Sequence, residues 1–132
     1  MSLVVASLAA CASSPLNARA DRPLPAGTWG GDHIEMTVTA SDVHFEFDCA
    51  SADIAKVPVL DDQGRLAADG TYTKEHGGAL RQDEVPDRQA ARFTGLLKDK
   101  TLTVDVTIVD SKQLVAQFAV TLDAVSRVRK CR

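Results

Sequence analysis

Three cysteines, three histidines and a group of closely spaced carboxylates are the side chains in this sequence with chemistry to offer. Cys11, Cys49 and Cys131 stand far apart, with no Cys-x-x-Cys, which argues against a thiolate metal site. His33, Glu35, Glu46 and Asp48 carry donor types that suit a divalent ion. A flat outer strand face rarely brings four such side chains to one point, so a solvated acidic face is the expectation and no metal is assigned. None of His33, His44 or His76 has a serine or cysteine brought alongside it as a nucleophile. There is no Walker-type loop, dinucleotide fingerprint or His-Glu-x-x-His run. This inventory points away from an enzyme and implies no cofactor.

The elements that would position these residues show a period of two. Ile34, Met36 and Val38 alternate with polar residues, as do Val43, Phe45 and Phe47, then Leu102, Val104, Val106 and Ile108, then Leu114, Ala116, Phe118, Val120 and Leu122. Trial hairpins test the register, because a slip of one residue turns a strand inside out. Joining 33–39 to 42–49 sets Val38 against Val43, Met36 against Phe45 and Ile34 against Phe47. It also sets His33 opposite Asp48, Glu35 opposite Glu46 and Thr37 opposite His44. Turning at Asp99-Lys100 sets Leu97 against Leu102 and Phe93 against Val106. A loop at 110–112 sets Ile108 against Leu114 and Val104 against Phe118. A turn at 61–64 sets Val59 against Leu66. All four agree on one apolar face.

The sequence therefore predicts an all-β chain: an up-and-down antiparallel meander of about eight strands closed into a small barrel. The strands fall at 28–39, 42–49, 54–60, 65–75, 89–98, 101–109, 113–123 and 126–131. Closure removes the exposed edges that an open meander leaves. With 132 residues, 45% hydrophobic and 25% charged, the chain holds one globular domain. A net charge of -3, and no run of more than two basic residues, argue against a nucleic-acid partner. No apolar run of about 20 residues is present to span a bilayer as a helix.

The ends are distinctive. Leu3 to Ala10 are small and branched apolar residues, ending in Leu8-Ala9-Ala10-Cys11, and no Lys or Arg precedes them. Leu8 to Cys11 resembles the lipobox of bacterial lipoproteins. The resemblance implies that Cys11 is lipidated, and that the protein faces the periplasm from a membrane of the cell envelope, the outer in preference to the inner. The chain then divides into a signal segment at 1–10, a tether at 11–26 with Pro15, Pro23 and Pro25, and a barrel domain at 27–132. With Cys11 lipidated, Cys49 and Cys131 remain as a pair that an oxidising compartment would join; two buried free thiols are the alternative.

Gly27-Thr28-Trp29, with Arg127 or Arg129 near the end, is similar to the opening and closing of calycin barrels (lipocalins, fatty-acid-binding proteins, avidins). That resemblance implies that a basic side chain of the last strand packs on Trp29 and closes the barrel base. The expected strand order, with the last strand beside the first and parallel to the second, places Cys49 and Cys131 at the end where Trp29 enters. The span from Gly27 to Cys131 further resembles a group of small bacterial lipoproteins with a Gly-Thr-Trp-Gly-Gly opening and a Lys-Cys near the end, a resemblance that implies no activity.

Large inward side chains favour a packed interior over a ligand cavity. The inward set is Ile34, Met36, Val38, Val43, Phe45, Phe47, Val59, Leu66, Phe93, Leu97, Leu102, Val104, Val106, Ile108, Leu114, Phe118, Val120 and Leu122. The segment from Glu75 to Arg88 is the longest irregular stretch. It is dense in charge and marks the place to grip a partner, through Glu75, His76, Gly77, Gly78, Arg81, Asp83, Glu84 and Arg88. Gly30-Gly31 reads as a bulge or close strand packing, because no helix follows it to cradle a phosphate. The expected function is a lipid-anchored binding or scaffold protein. Its partners are the membrane, through the anchor, and an envelope protein or a hydrolase. The alternatives are an inhibitor of a protease or lysozyme, and a carrier of a small apolar ligand.

Overall fold

The computed structural model describes residues 22–76, 85 and 87–131. Among the described residues there are ten strands: β1 (Arg22–Pro23), β2 (Gly27–Gly31), β3 (Ile34–Val38), β4 (Val43–Phe47), β5 (Ala50–Ile54), β6 (Val59–Leu60), β7 (Arg65–Lys74), β8 (Asp87–Lys98), β9 (Thr101–Ile108) and β10 (Leu114–Leu122). Eight of them close a barrel in the order β10-β2-β3-β4-β5-β7-β8-β9, and every pairing in it is antiparallel. β1 and β6 form a separate two-stranded sheet.

Where the apolar alternation was unbroken, the predicted register is the observed one. Val38 faces Val43, Met36 faces Phe45, and Ile34 faces Phe47. Leu97 faces Leu102 and Phe93 faces Val106 across a two-residue turn in which Asp99 adopts a positive φ of 57°. Val104 faces Phe118. The interior fills because large rings stand over small neighbours. Phe45 lies beside Ala52, and Phe93 beside Ala68. The Phe45 and Phe93 rings stack across the axis, 5.3 Å apart and 10° from parallel.

Four expectations require correction. The expected first strand, 28–39, is two strands. Asp32 and His33 form a tight turn, with His33 at φ 64°, and the chain reverses there. This extra reversal puts Cys49 at the end of the barrel opposite to the one where β2 enters, so the disulfide does not sit at the Trp29 entrance. The expected strand 54–60 is interrupted at Pro58, which lacks a ladder donor. The barrel strand is 50–54, while Val59 pairs with Pro23 instead of Leu66 and is half exposed. The loop after Ile108 is longer than 110–112: Ile108 N–H donates to Gln113 O, and a bulge between Leu114 and Ala116 sets Leu114 against Thr107 and leaves it exposed. Finally, 126–131 is not a strand. β10 already closes the barrel against β2, through Thr121–Gly30 and Leu122–Trp29, which leaves room for an isolated parallel bridge of Arg127 to Asp32 but not for a ninth strand.

The end of the expected tether also belongs to the fold. Arg22–Pro23 pairs with β6, Leu24 N–H donates to Pro58 O at 2.9 Å, and Leu24 and Leu60 are buried in the core. This small sheet plugs the end where β2 enters. Trp29 is fully buried beside it and donates its Nε1 hydrogen to Pro25 O at 3.2 Å.

Candidate functional site

The opposite end of the barrel gathers the turns 32–33, 48–49 and 109–113, together with both stems of the long segment between β7 and β8. Its inner rung is aromatic. Phe47 lies 6.0 Å from Tyr72 and 5.3 Å from Phe118, and all three rings are half-buried. Burial raises the pKa of the Tyr72 phenol.

The chain after β10 runs to this end along the outside. Asp123, at φ 63°, turns it out of the barrel wall. It then crosses β2 at Gly30, where any Cβ would collide with the backbone of Ala124, Val125 and Ser126. A Cβ on Gly31 would collide with the Ala119 carbonyl. The glycine pair is therefore close packing, as its sequence suggested. Arg127 N–H donates to Gly31 O at 3.1 Å, and His33 N–H donates to Arg127 O at 3.0 Å. Arg129 N–H reaches Asp48 Oδ1 at 2.8 Å, and Cys131 N–H reaches Asp48 O at 2.8 Å. A disulfide then joins Cys131 to Cys49, with Cα atoms 5.2 Å apart. We refer to residues 123–131 as the strap. Arg127 and Arg129 lie in it, exposed, beyond the last strand to which the calycin comparison assigned them. Opposite Trp29 that strand places Leu122.

Beneath the strap the outer face of β3 to β5 is acidic. Glu35 stands opposite Glu46, as the register required. Like charges so placed repel, and the strap offsets this. Ser126 Oγ donates to Glu35 at 2.5 Å, while Lys130 Nζ donates to Glu46 at 2.8 Å and to Phe47 O at 2.9 Å. Lys130 also lies 2.6 Å from Glu75, at the start of the long segment, and Glu75 N–H donates to Cys49 O at 2.9 Å. Burial alone would lower the Lys130 pKa, but hydrogen bonds and charge from Glu46 and Glu75 outweigh it and the net shift is upward. Glu46 is lowered: burial opposes its ionisation, and Lys130 and His44 overcome that.

His44 forms the second hub. Its Nδ1 is 2.6 Å from Asp53, and its Nε2 is 2.7 Å from Glu46. Burial pulls its pKa down, yet the two carboxylates outweigh this and raise it. His33 Nδ1 lies 2.6 Å from Asp48, the partner its register predicted. Asp48 is held low, first by the Arg129 N–H and then by His33. Among the described residues no three His, Cys, Asp or Glu side chains form a group that could hold a metal ion.

Of the residues expected to grip a partner, Glu75 and Arg88 stand at the two stems, Arg88 paired with Thr73. His76 follows Glu75. Gly77, Gly78, Arg81, Asp83 and Glu84 lie outside the described residues, as does Cys11. Nothing local marks Lys130 as a hub, because its partner Glu46 is 84 residues distant along the chain.

The arrangement defines a class: a small, closed, eight-stranded antiparallel barrel, compatible with a calycin-like fold, with a filled interior and a disulfide-fastened strap. The chain matches no family model, no curated protein and no solved structure.

Proposed function

We propose that this protein is a non-enzymatic binding or scaffold module of a bacterial cell envelope, tethered by lipid on Cys11, that presents the segment 75–88 to a protein partner. The supporting observation is how the barrel divides its interior from its far end. Phe45 and Phe93 fill the axis, which disfavours a carried ligand, while a disulfide and an ammonium converge on the stem of segment 75–88. Long loops on rigid scaffolds are where binding surfaces are usually built. The partner is an envelope protein or a hydrolase.

The test is capture from an envelope extract by the full chain, beside a variant in which residues 77–84 are replaced by a Gly-Ser linker. Loss of one partner band in the variant supports the reading, and a captured protease or lysozyme narrows it to inhibition. Identical capture by both forms removes segment 75–88 from consideration. Cys11→Ser should move the protein from the membrane to the soluble fraction; unchanged fractionation rules out the anchor.

A further inference from the structure

The strap is held differently from the rest of the molecule. Among the described residues, the buried core runs from Leu24 to Val120 and takes no side chain from 123–131. Val125 is exposed, and a cleft of about 400 Å³ remains between Val128, Lys130, Glu35 and Glu46. The ties that remain are hydrogen bonds and ion pairs at largely exposed positions, each of modest worth. The Cys49–Cys131 bond is the strong one. Segments with little apolar burial open far more readily than the core they lie on.

We propose that the Cys49–Cys131 disulfide is a redox latch: its reduction frees the strap while the barrel stays folded, and the freed strap withdraws Lys130 from Glu75 at the stem of segment 75–88. The part concerning regulation of partner capture rests on the binding role proposed above; strap release does not.

The chemistry is thiol–disulfide exchange with a dithiol reductant. A reductant thiolate attacks Cys49, the more exposed partner, and the Cys131 thiolate leaves and takes up a proton. The second reductant thiol then displaces Cys49. Two electrons pass, giving two protein thiols and one oxidised cyclic dithiol. Once the bond is open, Lys130, Arg129 and Ser126 are held by exposed and part-buried polar contacts alone. Glu75 keeps its backbone bond to Cys49 O but loses its cation.

The strap carries its own reporters, since Arg127, Arg129 and Lys130 are trypsin sites. The full chain is treated with trypsin, with and without dithiothreitol, every aliquot is then quenched and fully reduced alike, and cleavage after Arg127 and Arg129 is followed by mass. Amide exchange of β8 and β9 is followed in parallel. Reduction should speed cleavage at Arg127 and Arg129 at least about tenfold, while β8 and β9 amides stay protected. The variant C49S/C131S should behave as the reduced protein without reductant. Cleavage that ignores reduction overturns the latch, and so does loss of β8 and β9 protection together with the strap. Lys130→Met in the oxidised protein should leave the strap fastened and raise exchange at Glu75 and His76; unchanged exchange there refutes the link to the stem. None of these readouts needs a partner. Failure of the loop replacement to alter capture would therefore count against the binding role and leave the latch standing.

Discussion

Glu35 and Glu46 face each other across β3 and β4, and each is held by a different residue of the same five-residue stretch of strap. Ser126 takes one carboxylate and Lys130 the other. Lys130→Met keeps the alkyl stem but removes the charge, leaving the opposed carboxylates and Glu75 without their cation. The pairs are half-exposed, so the loss of unfolding free energy should be small, about 1 kcal/mol. It should shrink in about 1 M salt, where screening weakens repulsion and attraction alike. Urea unfolding at two salt concentrations measures both; a salt-independent loss means that packing, not charge, is what Lys130 supplies.

Gly30→Ala attacks the strap from beneath. The new Cβ has no room below the backbone of Ala124 to Ser126, so the strap must lift or β2 must shift. Overpacking of this kind costs about 1–3 kcal/mol. With the disulfide intact, trypsin should cut at Arg127 faster than in the parent protein. Equal cleavage rates would show that β2 yields instead.

Some of this was legible in the sequence, and the division has physical causes. The β3–β4 hairpin was readable because Ile34, Met36 and Val38 can meet Phe47, Phe45 and Val43 in one register alone. From that register followed the Glu35–Glu46 and His33–Asp48 oppositions. The turn at Asp32-His33 was hidden because Gly30-Gly31 reads as a bulge, and a bulge also accounts for the change of phase between Trp29 and Ile34. The strap was mistaken for a strand because an eighth strand was needed to close the expected barrel, and nothing local shows that β10 has already taken the last edge. Leu24 looked like tether, since one buried leucine among prolines leaves no period. Of the two hubs, Lys130 depends on contacts between distant segments, and His44 on the β4–β5 register, which the misplaced strand 54–60 concealed. For these hubs the hairpin registers supplied only the alignment of β3 with β4.

Phe93→Ala should be among the most damaging single changes. The ring is fully buried, and its neighbours Ala68, Gly70 and Ala91 are too small to move into the space it leaves. Aromatic truncation at such a site costs about 3–5 kcal/mol. Denaturant unfolding of the variant checks this. A loss below about 1 kcal/mol would mean that the interior is not the filled column described, and would restore the ligand-carrier reading.

The His44 hub predicts an alkaline-side loss of stability. Its pKa is raised in the folded protein by Asp53 and Glu46, against the pull of burial. Its contribution is therefore complete below the unfolded value near 6.5 and fades as pH rises through the higher folded value. Glu46, which is lowered, acts in the opposite sense: its contribution is complete above its unfolded value of 4.5 and fades as pH falls through the folded one. The two together place the best-fastened state of this face in the mildly acidic range, between those reference values. Because the groups are partly exposed, each change should be under about 1 kcal/mol. Unfolding midpoints measured from pH 5 to pH 9 should fall through neutrality in the parent protein and flatten in His44→Gln. A parallel decline in both would assign the pH dependence to other groups and leave His44 as an ordinary surface residue.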